Sequence, residues 1–365
     1  LVIGRVFKTG FAVLLLAALA ACVPTRSPPA SSAASAPAVP AAPAAAPYIL
    51  GAALGADTLT ADDGVSLPLH SWTADGPVRA VVVAVHGMND YGNVFDRPAR
   101  LWEKAGITTY ALDQRGFGQA VRRGRWYGGD RMAGDALVLA RLARARHPGI
   151  PVFLLGESMG GAVAVLAAAR AEPGLLSGLV LSAPAIWGVG ARAAVVRAAS
   201  VVMGALAPGW TAPPLSTKNA STDDPVALKR IREDKLIIHQ TRFDTLAGIV
   251  DLMRDAQASA AKVTLPTLLL LGDLDGHVPR DGIAALLRRM TTKSSPGPKL
   301  AFYEGGRHLL MRSLNGDRVS ADIASWVLAP DAPLPSGADA RARACPQLLL
   351  TPAKGCAFGR TAAKR

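Results

Sequence analysis

One short segment concentrates the chemistry. Gly156-Glu157-Ser158-Met159-Gly160 sets a serine between two glycines, after the apolar run Pro151–Leu155 and before a helical pattern over Met159–Glu172. That strand–turn–helix setting puts the serine on a sharp turn where neighbouring Cβ atoms would crowd it. Ser158 then stands at a helix N-terminus, whose unbonded N–H groups and dipole favour developing negative charge. A serine hydroxyl is a weak nucleophile at neutral pH, so it needs a base, and the base needs an acid to orient it. Three histidines follow Ser158. His239 falls in a helical run, Lys229–Gln240, and His277 directly follows the turn Gly272-Asp273-Leu274-Asp275-Gly276. His308 lies in Glu304-Gly305-Gly306-Arg307-His308, after the apolar run Leu300–Tyr303. With nucleophile, acid and base in that chain order, the loop after the last strand should carry the base, which selects His308. Asp273 and Asp275 compete for the acid, and their spacing alone does not separate them. An oxyanion needs two backbone N–H groups. Met159 supplies one and Met88, after His86-Gly87, is the candidate for the other. His86 reads as a residue that fixes this loop.

The elements that must position these groups follow from apolar runs. Val78–Val85, Ile107–Leu112, Pro151–Leu155, Leu179–Leu181, Thr267–Leu271 and Leu300–Tyr303 are short and nearly continuous. Such runs suit strands buried on both faces, as in a parallel sheet. Helical patterns lie between them at Asp130–His147, Met159–Glu172, Asp281–Met290 and Asp317–Leu328, with Asp130 and Asp281 placed to cap helix starts. The alternation predicts an α/β fold: a mostly parallel, doubly wound sheet with function at the carboxyl ends of its strands. Residues 184–262 break the alternation and read as a helical cap inserted between two strands. Within it, Ala191–Ala207 is apolar but interrupted by Arg192 and Arg197, which suits an amphipathic lid helix better than a membrane span.

The two ends differ from the middle. Arg5 and Lys8 precede an 11-residue apolar run, Phe11–Ala21, too short to span a bilayer, which ends in Leu19-Ala20-Ala21-Cys22. This resembles a bacterial lipobox, so residues 1–21 are expected to be a lipoprotein signal peptide and Cys22 the lipidated residue. Residues 23–47 hold seven Pro, ten Ala and four Ser, a composition for an extended tether rather than a core. The domain that carries Ser158 is expected over 48–328 and a loose, basic, Pro/Ala-rich tail over 329–365. Assigning Cys22 to lipid leaves Cys345 and Cys356 as a candidate disulfide pair in an oxidising compartment. The expected location is the bacterial cell envelope, lipid-anchored and facing the periplasm or exterior.

Composition excludes other classes. Charged residues are 18% of the 365, against a disordered chain, and three cysteines exclude a disulfide-dense scaffold. The formal charge is +13, yet residues 48–328 hold 31 bases and 25 acids, only +6, with no dense basic run. A nucleic-acid partner is therefore not expected.

Residues 57–328 resemble the monoacylglycerol lipase/lysophospholipase-like branch of the α/β-hydrolases, which overlaps the serine aminopeptidase S33 profile. The segments that carry the resemblance are Val85-His86-Gly87-Met88, Ala111-Leu112-Asp113-Gln114-Arg115-Gly116-Phe117-Gly118 and Gly156–Gly161. Two more are Gly272-Asp273-Leu274-Asp275 with Val278-Pro279, and Tyr303–His308. The family's acid lies three residues beyond the glycine, which implies Asp275. Thr222-Asp223-Asp224-Pro225 and Glu233-Asp234-Lys235 resemble the family's cap, where Lys235 departs from the usual proline. Gln119 likewise departs from a common serine. The resemblance implies hydrolysis of a small-molecule single-acyl-chain ester, with no metal or other cofactor. Other readings are an aminopeptidase, a thioesterase or acyltransferase, and a non-catalytic lipid-binding lipoprotein.

Overall fold

The six apolar runs form the parallel part of one nine-stranded sheet. The computed structural model describes residues 51–186, 191–207, 210–212, 221–292 and 297–346, save the side chains of 191–193. In chain order the strands are β1 (Ala53–Leu54), β2 (Thr58–Thr60), β3 (Ser66–Trp72), β4 (Ala80–Val85), β5 (Ile107–Leu112) and β6 (Val152–Glu157). They continue as β7 (Gly178–Ser182), β8 (Thr211–Ala212), β9 (Thr241–Arg242), β10 (Thr267–Gly272) and β11 (Lys299–Tyr303). The helices are α1 (Asp96–Lys104), α2 (Gly129–Arg146), α3 (Met159–Ala168), α4 (Ala191–Leu206) and α5 (Pro225–Glu233). After them come α6 (Phe243–Ser259), α7 (Arg280–Met290), α8 (Gly316–Leu328) and α9 (Ala338–Ala344).

The sheet order is β1-β2-β3-β5-β4-β6-β7-β10-β11, and β8 and β9 pair separately. From β5 to β11 the sheet is parallel, and β3 joins β5 antiparallel. β4 shows why these strands read as continuous apolar runs. Val81, Val83 and Val85 enter one core with α2 and α3, while Ala80, Val82 and Ala84 enter a second with α1 and α8. Burying one such aliphatic side chain stabilises the fold by about 1.5–3 kcal/mol. Register then aligns the strand ends. Val85 lies opposite Gly156, Glu157 opposite Ser182, Ser182 opposite Leu270, and Gly272 opposite Tyr303. The loops that follow these strands therefore leave one edge of the sheet together.

The antiparallel strands β1 to β3 and helices α1 and α9 were not foreseen. Asp130 and Asp281 lie in the first turns of α2 and α7 but cap neither helix; Asp130 instead bonds Arg170. The acidic cap among these is Asp224, which accepts the Val226 and Ala227 N–H groups at the start of α5. Residues 229–240 are not one helix, because α5 ends at Glu233 and His239 is an exposed loop residue. The 329–365 segment is not loose where it is described. Ala338, Ala342 and Cys345 are buried, α9 packs on β11, and Cys345 is disulfide-bonded. Cys22 and Cys356 lie outside the described residues. The cap helix α4 packs on α6 yet leaves Val195, Val202 and Leu206 exposed. No described helix is long and apolar enough to cross a membrane.

Candidate active site

Ser158 occupies the turn between β6 and α3 with φ 55° and ψ −119°. This left-handed backbone strains a residue with a Cβ, by about 1–3 kcal/mol, and persists only where the surroundings impose it. Three hydrogen bonds do so. The Ser158 N–H donates to Ser182 O at 3.0 Å, and the Ser158 carbonyl accepts from Gly161 at 2.9 Å and Ala185 at 2.8 Å. The glycines act more broadly than the sequence suggested. A Cβ on Gly156 would lie 2.2 Å from Gly160 O, and one on Gly160 would lie 2.0 Å from Val85 O. They allow the elbow to sit directly against β4, beyond relieving the turn itself.

His308 and Asp275 meet Ser158 from the neighbouring strand ends. Ser158 Oγ lies 2.9 Å from His308 Nε2, and His308 Nδ1 lies 3.0 Å from Asp275 Oδ2. With the ring neutral, Nδ1–H donates to Asp275 and Nε2 accepts the serine hydroxyl. The other Asp275 oxygen accepts the N–H groups of His277 at 2.8 Å and Val278 at 3.3 Å. Burial works against this carboxylate, but the His308 hydrogen bond and charge and the two backbone N–H groups outweigh it. They hold the Asp275 carboxyl below its ordinary range. The structure thus separates the competing aspartates. Asp273 turns away toward Arg341, 3.8 Å distant, and burial raises its pKa. The acid and base loops touch because Gly272 has no side chain: a Cβ there would lie 2.2 Å from Gly306 O.

The third loop follows β4. His86 is fully buried, with Nδ1 2.8 Å from Gly87 O and Nε2 3.0 Å from the Gln114 N–H. Since Gln114 must donate, Nε2 accepts and Nδ1 carries the proton, and burial pushes the ring's pKa down, toward this neutral form. His86 is therefore a brace for the loop, as expected. Gly87 lies against Ser158, where a Cβ would be 3.3 Å from the serine Cβ. Met88 follows it, and Met159 opens α3. Among the described hydrogen bonds, none uses the N–H of Met88 or Met159.

Sequence reasoning missed the charges that lock these loops together. Arg312 donates to Asp90 at 2.6 Å and to Glu157 at 2.7 Å. Asp90 belongs to the loop after β4, Glu157 precedes Ser158, and Arg312 follows His308 by four residues. Burial disfavours the guanidinium charge, but the two carboxylates more than offset this and raise its pKa. The available signal was Glu157 itself, a charge inside an otherwise apolar and glycine-rich turn. His277 was also unassigned; its ring stacks on His308 at 4.6 Å, and its Nε2 lies 3.3 Å from Ser221 Oγ in the cap. Asp275, His277 and His308 each bring a donor atom within 4.8 Å of the others. In this arrangement Asp275 Oδ2 and His308 Nδ1 are spent on each other, and the two rings stack with 26° between their planes.

The cap is tied to the same loops. Tyr91 donates to Asp234 at 2.7 Å, Ile238 N–H to Asn89 O at 2.9 Å, and Leu309 N–H to Ser221 O at 2.9 Å. Lys235 is exposed, and its carbonyl accepts from Arg123. Gln119 is exposed too; its backbone N–H serves Asp113, so the side chain is free to vary.

The sheet order, the strained serine between β6 and α3, and the loops converging on it define an α/β-hydrolase. Residues 76–315 match the family described as serine aminopeptidase, S33. The chain is 30% identical over 274 residues to the monoacylglycerol lipase of Mycolicibacterium smegmatis, covering 73% of this chain and 94% of that relative. It is 28% identical over 278 residues to the monoglyceride lipase of Homo sapiens, covering 73% and 88%. The solved monoacylglycerol lipase of Paleococcus ferrophilus shares the fold with a TM-score of 0.60 at 24% identity, over 72% of this chain and 98% of that one. The chain belongs to the serine aminopeptidase S33 family of α/β-hydrolases and is a carboxylic ester hydrolase.

Proposed function

We propose that the protein cleaves single-acyl-chain esters, such as monoacylglycerols or lysophospholipids, through an acyl-enzyme on Ser158. The observation that carries this is the unbroken relay from Ser158 through His308 to Asp275 on a strained elbow. Ser158 Oγ attacks the acyl carbonyl carbon as His308 Nε2 takes its proton. Asp275 keeps the ring in the right tautomer and stabilises the imidazolium. The Met88 and Met159 N–H groups bind the oxyanion; one such donor is worth about 2.7–4 kcal/mol in the transition state. Collapse breaks the ester bond, and the leaving alkoxide takes the proton from His308. Water, deprotonated by the same base, then releases the fatty acid and restores Ser158. The names of the two lipase relatives and the apolar outer face of α4 support a lipid substrate. The family description favours a second reading, hydrolysis of aminoacyl amides.

One assay separates them: purified protein on acyl esters of graded chain length beside aminoacyl amides, with fluorophosphonate labelling of Ser158. The expectation is ester turnover that rises with chain length, labelling at Ser158, and loss of both in Ser158→Ala. Folded protein that neither labels nor turns over esters would end the esterase reading. Lipidation of Cys22, with residues 23–47 as a tether to a bacterial envelope membrane, belongs to the same proposal. Two acyl signals anchor a chain firmly, at about 0.8 kcal/mol per buried methylene. Cys22→Ser should move the protein to the soluble fraction, and unchanged fractionation would remove that claim.

A further inference from the structure

The family match stops at residue 315, and α9 lies beyond it. Yet α9 reaches the proposed catalytic loops from behind. Its Arg341 side chain is 10% exposed; one terminal nitrogen lies 2.8 Å from Glu304 Oε2 and the other 3.8 Å from Asp273 Oδ2. Asp273 and Glu304 follow the ends of β10 and β11, two residues before Asp275 and four before His308. A cavity of about 230 Å³, lined by Glu304, Gly305, Gly306, Arg318, Ser336 and Arg341, undercuts the same loop. Apolar packing therefore does not fill the space beneath residues 304–306. Main-chain bonds from Leu274 N–H to Gly306 O at 2.9 Å and from Asp273 N–H to Tyr303 O at 3.2 Å join the two loops. The guanidinium adds a side-chain link between them, from the buried Asp273 to the exposed Glu304, and its planar fork of donors suits two carboxylates held at different angles. Lys299, at the start of β11, fastens the intervening chain by donating to the carbonyls of Pro330 and Ala332 at 2.5 and 2.8 Å.

We propose that Arg341 is a positioning residue, through which α9 holds the acid and base loops at the separation that the Asp275–His308 hydrogen bond requires. The proposal rests on the esterase reading, in which those two residues act. Arg341 touches neither of them, so its influence passes through Asp273 and Glu304. Among the described residues, the titratable groups facing His308 are Asp275 and His277 from the acid loop, with Arg280 of α7 beside Asp275. None of these changes in the variants below.

The test is steady-state kinetics across pH on the full chain. Arg341→Met should lower kcat about tenfold with KM changed less than twofold, since a sub-ångström drift of catalytic groups costs that order of rate. A loosened Asp275 stabilises the imidazolium less, so the acid limb of the kcat/KM profile should move to lower pH. Arg341→Lys restores the cation without the fork and should recover part of both. If Arg341→Met does not fold, Asp273→Asn is nearly isosteric and removes one carboxylate that faces Arg341; it should show the same kcat loss in smaller measure. An active wild type, with kcat and acid limb unchanged in Arg341→Met, or with kcat unchanged in Asp273→Asn where the former does not fold, would overturn the proposal and leave α9 a structural cover. A wild type without esterase activity would instead overturn the esterase reading.

Discussion

The two halves of the site are held by different forces. Around β4 and β6, backbone meets backbone: Gly160 rests on Val85, Gly87 on Ser158, and the serine turn is fixed by main-chain hydrogen bonds. Around β10 and β11, side chains carry more of the order: Asp275 orients His308, and Arg341 reaches Glu304 and Asp273. The backbone-held half presents the proposed nucleophile and oxyanion donors, which need rigid placement and no change of charge. The charge-held half presents the groups proposed to pass a proton, whose task is itself electrostatic. Main-chain contact is enough to place the first half, whereas the second adds ionised side chains to the close approach of Gly272 and Gly306. Arg312 joins them, since it bonds Asp90 and Glu157 on one side and follows His308 on the other.

This contrast can be broken in a definite order. The largest effect belongs to the charge-held half: Asp275→Asn should keep the fold and lower kcat by about 10⁴-fold, measured under saturating ester. It should also change acid stability. The Asp275 carboxyl has a lower pKa folded than unfolded, so its stabilisation is full above the unfolded value near 4 and is lost as pH falls through the folded value. Wild-type and Asp275→Asn melting temperatures should therefore converge as the pH drops below about 4. Next comes the link between the halves. Arg312→Met leaves two buried carboxylates facing each other and should destabilise by about 3–5 kcal/mol in urea unfolding. Third is the backbone-held half. In Gly160→Ala the new methyl meets a carbonyl that has no flexible end to yield, so a loss of about 1–3 kcal/mol with slowed fluorophosphonate labelling is expected. Smallest is Gln119→Ser. Its side chain is exposed and its backbone does the bonding, so stability should stay within about 0.5 kcal/mol. A larger effect there would show that side chains matter where the backbone is held to suffice.

Legibility follows the same division. The parallel strands were readable because burial on both faces leaves no polar position to interrupt them; Ile107–Leu112 was located to the residue. The antiparallel β3 was missed because its burial alternates and it contains Pro68 and His70. α9 was missed because Ala and Arg alternate in it without an apolar stripe, and its burial is supplied by a distant strand. The Asp90–Glu157–Arg312 cluster was invisible for a related reason. Its members are separated by up to 222 residues, so spacing along the chain carries no trace of them.

By itself the sequence determined the alternating α/β plan, the serine turn with its obligatory glycines, and His308 as the histidine to examine. Those are local matters, set by Cβ sterics, apolar runs and chain order. Residue spacing left Asp273 and Asp275 open and the family resemblance implied Asp275; the tertiary structure set that carboxylate against His308, turned His277 onto the His308 ring, and carried α9 back beneath the acid and base loops. Such choices depend on which strand ends lie level at one edge of the sheet. That arrangement is a property of register and long-range packing, which no short stretch of residues encodes.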